Sequence, residues 1–457
     1  MHTKGYPLPA RYAMPGRLPR WLLLVLLLAP LQSVVAQNPR GTLRGTVEDS
    51  SRSRIPGVSL VIQSQQSGGD RLAVSDARGE FRVEDLPPGK YRLTANAPGF
   101  ALASAEVTVI VSEVRDISVV LQPQGLVQRV NVAAQSSSIT TEAIDLASAV
   151  HQGAISSQDL TTLPLAHRSF ANIAYLVPGT EPVEPSDPTK ARITAVSFGG
   201  SSGLNVELSV DGGDNSDDYI GGFLQNYSPD AIQEFVVRTA QEDADTGRTT
   251  GGSVVIDTKR GTNDWHGEAA FYERAATLNA RLPIDNPSPE PKQPFSRQNY
   301  IGTVGGPIRK DKIWFFSSLE YVHEDASIAY SPASITQFQA LAQLATAGLI
   351  PEVNAIAVPN NAPVPFDDYL GTTRFDWAQS QRSQWFLRAA VDRYTTDNDL
   401  VQQATLPSTG ATSRANYMNL LLNQHFSFSP SWLGSLTLEA SGLHHTETRN
   451  TNLGYAL

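Results

Sequence analysis

Two stretches decide the fold: QWFLRAAVDRYT at residues 384–395 and NYMNLLLNQHFSF at residues 416–428. In an extended chain successive side chains point to opposite faces. Trp385, Leu387, Ala389 and Val391 therefore share one face, and Arg388, Asp392 and Tyr394 share the other with Phe386 and Ala390. In the second stretch Met418, Leu420, Leu422, Phe426 and Phe428 oppose Asn419, Asn423, His425 and Ser427. One face suits lipid and one suits water, the pattern of strands that cross a membrane in a β-barrel.

The same pattern extends outward over strands of about ten residues: Trp265–Glu273, Arg297–Gly306, Ile313–His323, Thr372–Gln379 and Leu433–His445 join the two above. Their connections alternate. Residues 307–312, 380–383 and 429–432 are short, whereas 274–296, 324–371 and 396–415 are long and polar, as periplasmic turns and external loops are. Trp314, Phe315, Phe316, Tyr321 and Tyr330 are expected in an interfacial aromatic girdle, and Gln337–Leu349 in a helix within one external loop. The only long apolar run, Trp21 to Ala29, is closed by Pro30, so no helix of about 20 apolar residues is available to span a bilayer.

Ahead of these hairpins lie three different textures. Basic residues up to Arg20, an apolar core at Trp21–Leu31 and the small-residue site Val34-Val35-Ala36 have the order of a secretory signal peptide, with cleavage expected after Ala36. Residues 41–122 then show seven short alternating segments: Thr42–Glu48, Val58–Gln63, Leu72–Ser75, Phe81–Val83, Lys90–Asn96, Glu106–Val111 and Asp116–Leu121. Turns at Asp76–Gly79 and Leu86–Gly89 separate them, which predicts an antiparallel β-sandwich. Residues 123–260 mix short helices at Ser157–Leu163 and Ser169–Leu176 with strands at Ile193–Phe198, Val206–Val210, Phe235–Thr239 and Ser253–Lys259. Ser228 caps a helical turn that begins at Pro229. The order is α+β.

Composition narrows the chemistry. The chain has no cysteine, which excludes disulfides, thiolate metal sites and cysteine nucleophiles. Setting aside Lys4, Arg11, Arg17 and Arg20 of the leader, the remainder carries about −14, so nucleic acid is not an expected partner. Three motifs are set aside on context. Gly199–Gly203 fits G-x-S-x-G, but a strand rather than a helix is expected after it. Asp211, Asp214, Asn215, Asp217 and Asp218 crowd oxygen atoms as a calcium loop does, yet no Glu closes a twelve-residue loop. Thr249–Gly252 is not followed by the Lys-Ser or Lys-Thr of a phosphate loop. The eight histidines show no H-E-x-x-H spacing, so no enzyme, metal or cofactor is expected.

Longer motifs carry a resemblance. GTLRGTVEDS, IPGVSLVI, DARGEFRVEDLPPGKYRLTANAPGF and ISVVL, within 41–122, resemble the carboxypeptidase regulatory-like domain, a prealbumin-like sandwich. LTTLPLAHRSFANIAYLVPG, NVELSVDGGDNSD, SPDAIQEFVVRTAQEDADTGRTTGGSVVIDTKRGTNDWHGEAAFYER and YIGTVGGPIRKDKIWFFSSLEYVHE resemble the plug and first barrel strands of TonB-dependent outer-membrane receptors, and of their Oar-like subgroup in particular. The resemblance implies a multidomain, mainly β protein of the cell outer membrane: signal peptide 1–36, sandwich 41–122, α+β plug 123–260, and an incomplete transmembrane β-barrel over 261–457. It implies energised uptake of a scarce or bulky ligand such as an iron chelate (siderophore), carbohydrate or peptide. The implied partners are outer-membrane lipid and a TonB-type inner-membrane energy-transducing complex. That complex would pair with a TonB-box-like segment, Val127, Gln128, Arg129, Val130, Asn131, Val132 and Ala133. The loops with Asp211, Asp214, Asn215, Asp217, Asp218, Tyr219 and Tyr227 are expected at the ligand-facing apex of the plug; Glu234 and Arg238 are candidates to hold the plug to the barrel wall, with surface solvation the stronger reading of either alone. The rival reading is a surface protein for adhesion or docking, possible carbohydrate binding by the sandwich included. Seven strands cannot close a barrel of about 22, so these residues are expected to be the N-terminal part of a longer protein.

Overall fold

The computed structural model describes residues 40–65, 70–110, 114–124, 138–141, 151–162, 168, 170–183, 195–201, 203–217, 222–240, 247, 249–280, 292–350, 358, 361–380, 382–399, 406–407, 410–429 and 432–450. The expected signal peptide and the segment Val127–Ala133 lie outside these residues, as do Asp218 and Tyr219.

The N-terminal strands are β1 (Gly41–Asp49), β2 (Ser59–Ser64), β3 (Asp70–Val74), β4 (Glu80–Leu86), β5 (Gly89–Asn96), β6 (Ala103–Val109), β7 (Val114–Leu121) and β8 (Ser138–Thr141). They form two four-stranded sheets, ordered β4-β1-β7-β8 and β3-β2-β5-β6. Alternation explains the core between them: Tyr91, Leu93 and Ala95 of β5 are buried while Lys90 and Arg92 are exposed. Leu43, Leu60, Ile62, Phe81 and Val119 meet these residues from the other strands. The Tyr91 hydroxyl donates to the Pro87 carbonyl at 2.7 Å, fixing the Pro-Pro-Gly turn to the strand that follows it. The expectation of a wholly antiparallel sandwich needs one correction, because β1 and β7 run parallel over eight register pairs. Those two strands are joined through the opposite sheet, so no hairpin forces their sense. Gly45 is required at this seam, since a Cβ there would lie 2.0 Å from the Ile117 carbonyl oxygen.

The central block contains β9 (His151–Ser156), α1 (Ser157–Thr162), a 3-10 turn at Phe170–Leu176, β10 (Thr180–Val183), β11 (Ala195–Phe198), β12 (Val206–Val210), β13 (Gly213–Asp214), a second 3-10 turn at Pro229–Ala231, β14 (Ile232–Ala240) and β15 (Gly252–Thr258). Its main sheet has the order β13-β12-β15-β14-β9, and β10 pairs with β11. Every residue of β15 is buried, as a strand covered on both faces requires. Ser228 caps the second turn with its side chain accepting from the Asp230 amide, as the sequence predicts. A strand, β12, follows Gly199–Gly203, so a nucleophile elbow is excluded there.

The C-terminal wall is formed by β16 (His266–Ala275), β17 (Phe295–Arg309), β18 (Ile313–Ala329), α2 (Pro332–Thr346), β19 (Asn361–Pro363), β20 (Phe366–Ser380), β21 (Ser383–Asp399), β22 (Ala411–Ser429) and β23 (Trp432–Arg449). The seven expected strands pair antiparallel in chain order, β16-β17-β18-β20-β21-β22-β23, with the short β19 added to β18. Six of them run to 15–19 residues rather than ten, because pairing continues past the apolar window into polar stretches such as Thr412–Arg414. Expected and observed faces agree. Phe386, Arg388, Ala390, Asp392 and Tyr394 are buried, whereas Val391 is 44% and Met418 61% exposed. The polar face is thus covered by the central block and the apolar face is bare. In water that arrangement would be a large exposed patch; in lipid it is the expected one. The girdle is corrected in part: Phe315 and Tyr321 lie on the outward face, but Trp314, Phe316 and Tyr330 are buried. Strand parity turns Trp314 and Phe316 inward, and Tyr330 packs edge-on against Phe338 of α2. Among the described residues no helix is long and apolar enough to cross a membrane.

Candidate functional site: the contact between central block and wall

At the end of β12 the chain turns sharply, with Asp211 in the left-handed region (φ 53°) followed by Gly212 (φ 80°). The turn aims the Asp211 carboxylate at the wall. Arg374 of β20 approaches one oxygen at 2.6 Å and Arg388 of β21 the other at 2.9 Å. The Thr258 amide and hydroxyl also donate to that carboxylate, at 2.9 and 2.8 Å. Arg374 lies 3.3 Å from Asp257 of β15 and 3.1 Å from Asp376, and Arg260 lies 3.2 Å from Asp257. Arg388 donates further to the Val210 carbonyl and to Asn419. Both guanidiniums cover rings, Arg374 over Phe386 at 4.1 Å and Arg388 over Tyr227 at 5.4 Å.

Asp211, Asp257, Arg374 and Arg388 are each at most 1% exposed, so these charges exchange with no water. Burial acts to raise the Asp211 carboxyl, but the Arg374 and Arg388 guanidiniums override it and hold the group well below the usual carboxylate range. For Asp257 burial wins over Arg260 and Arg374, and the carboxyl is pushed up to about 6. Burial likewise pushes the Tyr227 hydroxyl up to about 12. The two aspartates compete for one arginine, and the one with fewer hydrogen bonds yields.

A string of further contacts follows along residues 214–230. The Asp214 amide donates to Glu439 and the Asn226 amide to Asp392, each at 2.8 Å. The Ser228 hydroxyl donates to Glu320, whose other oxygen accepts from Asn299 at 2.6 Å. Asp230 pairs with Arg168. The wall thus supplies charges from β18, β20, β21 and β23, and the central block answers with the carboxylates of Asp211 and Asp257, the amides of Asp214 and Asn226 and the Ser228 hydroxyl.

This geometry corrects the expected apex. Asp211, Asn215 and Tyr227 are buried, so they do not form an exposed ligand surface. Asn215 exchanges hydrogen bonds with the Gln225 backbone at 3.0 Å in both directions. Asp214 is exposed and Asp217 half-buried, and neither joins a cluster of three metal-binding side chains among the described residues. With both Asp211 oxygens engaged by arginines, calcium has no place on it. Glu234 and Arg238 are buried rather than solvated, and Asp211 and Asp257 carry ionic ties to the wall. The wall partner Arg388 was legible as a water-face residue; Arg374, in the same alternation within β20, carried the same signal.

Parts of the chain are similar to known proteins. The carboxypeptidase regulatory-like domain profile matches residues 42–122, and an outer membrane beta barrel domain profile matches residues 257–337. The TonB-dependent transporter Oar of Myxococcus xanthus is 27% identical over 291 residues, covering 60% of this chain. The chain spans 26% of that relative's length. Among solved structures, the outer membrane transporter YddB from Escherichia coli aligns with a TM-score of 0.46 and 12% identity, over 63% of this chain and 38% of that one. The siderophore receptor PirA from Acinetobacter baumannii aligns with a TM-score of 0.44 and 17% identity, over 65% and 40%. By its sequence the chain is a relative of the TonB-dependent transporter Oar, with a carboxypeptidase regulatory-like sandwich ahead of the strands of an outer-membrane β-barrel, and its place is the outer membrane.

Proposed function

We infer that the protein works as a TonB-dependent outer-membrane receptor, taking up a ligand too bulky or scarce to diffuse through pores. The observation that carries this reading is a wall whose polar face is covered by a block with a sheet of its own, tied to it by buried ionic contacts. A wall built only for adhesion has no use for a removable filling. In this reading the central block is the plug, and Val127–Ala133 is the segment that an inner-membrane energy-transducing protein pairs with and pulls. Siderophores, carbohydrates and peptides are the ligand classes proposed.

The test is transport by cells making the protein, with labelled ferric chelates, oligosaccharides and peptides offered in turn. Accumulation of one class, abolished by an uncoupler and by deletion of residues 127–133, is the expected result. Binding that is unchanged by the deletion, with no accumulation of any class, would favour the adhesion reading instead.

A further inference from the structure

Around the outside of the wall, one row of side chains changes chemistry along its length. Across β16, β17, β18 and β20 it is aromatic: Phe271, Tyr300, Tyr321 and Tyr369 are neighbours in register. Their ring centroids are 5.1, 6.0 and 4.6 Å apart in turn. Such a row marks the interface between hydrocarbon and headgroups. Across β21, β22 and β23 the same row continues as Arg393, Asn416 and His444. Arg414, on the same face of β22 as Asn416, lies one step further toward the long loops.

These two arginines are exposed and have no acidic or hydrogen-bonding partner among the described residues. The nearby acids on this face are engaged elsewhere: Asp367 accepts from the Tyr321 hydroxyl and contacts His323, and Asp397 accepts from Thr412. Between Tyr369 and His444 the surface is concave, a site of about 1100 Å³ lined by Arg393, Arg414, Asn416 and Met418 among others. Toward the membrane centre its floor becomes apolar and small. Val391, Met418 and Gly442 form the next row, and Ala389, Leu420 and Ala440 the one after. A side chain added at Gly442 would meet nothing within 4 Å, so the groove there is open.

We propose that Arg393 and Arg414, with Asn416 and His444, bind a phosphate-bearing lipid of the outer leaflet, whose acyl chain lies along the groove at Gly442. An arginine facing hydrocarbon is costly at mid-membrane and nearly free at the interface, where its planar fork matches a phosphate. The aromatic row puts both guanidiniums at that depth. Charge complementarity fixes the headgroup as anionic, and the apolar floor fixes the occupant as a lipid rather than a free anion.

The experiment is native mass spectrometry of the full protein in mild detergent, offered phosphorylated lipid A, its phosphate-free form, or inorganic phosphate. The phosphorylated lipid is expected to stay bound. Each arginine near an anionic lipid surface is worth about fivefold, so the double variant Arg393→Ser, Arg414→Ser should weaken retention about thirtyfold. Gly442→Phe fills open space on the outer face and should weaken it several-fold with both arginines intact. Equal retention by the double variant, equal binding of the phosphate-free lipid, or displacement by inorganic phosphate would each overturn the proposal.

Discussion

Replacing Arg374 by alanine is expected to loosen the central block from the wall by about 3–5 kcal/mol, the cost of stranding a buried charge. The substitution leaves Asp211 with one cation, Arg388, and Asp257 with one, Arg260, in a site where neither carboxylate reaches water. Amide hydrogen exchange of the membrane-embedded protein reads the effect directly. The β15 amides of Val254 and Val255, fully buried in the intact protein, should exchange hundreds-fold faster in the variant. Adding Asp211→Asn to Arg374→Ala should cost less than the two single changes together, because each removes the other's stranded partner. Unchanged exchange in the single variant, or strict additivity, would mean that apolar contacts and not the ionic cluster hold the block.

The second large effect belongs to the sandwich. A fragment of residues 40–124 is expected to fold alone, and Leu93→Ala within it to cost about 2–5 kcal/mol. For a domain of this size that is a fall in Tm of roughly 10–40 °C. Leu93 is fully buried between the two sheets, whereas Leu72 on β3 is 66% exposed, so Leu72→Ala should change stability by no more than about 0.5 kcal/mol. Thermal melts followed by circular dichroism separate these outcomes. Equal effects at the two positions would contradict the assignment of inner and outer faces.

What could be read from the sequence was whatever repeats with period two. The faces of β21 and β22 follow from alternation alone, and so do the seven strands of the wall, because lipid on one side and a polar filling on the other act on every residue in turn. Sense and pairing were less accessible. β1 beside β7 is a contact between the two ends of the sandwich, and its parallel direction depends on how the chain crosses between sheets. The strand His151–Ser156 has no alternation to reveal it; it forms because β14 offers an edge, with Gly153 making room for Val177.

The central site shows the same division. Its acids stand out in the sequence as a cluster around Asp211, but a cluster of acids in sequence looks the same whether it faces water or two arginines. Only the fold brings Arg374 and Arg388, more than 160 residues away, onto that carboxylate. The inward-facing charges of the wall strands were the available clue, since a charge on the covered face needs a partner from whatever covers it.

The most direct test of the central claim, that this protein is pulled open from within the periplasm, uses the absence of cysteine from these 457 residues. Single cysteines placed in turn at positions 127 to 133 of the full protein report on contact with a single cysteine in the periplasmic domain of the energy-transducing protein. Energised coupling through this segment predicts a disulfide-linked adduct in intact cells at one or more of these positions, and none when the segment's sequence is scrambled around the same cysteine. Absence of any adduct from 127 to 133, with the protein present in the outer membrane, would contradict it.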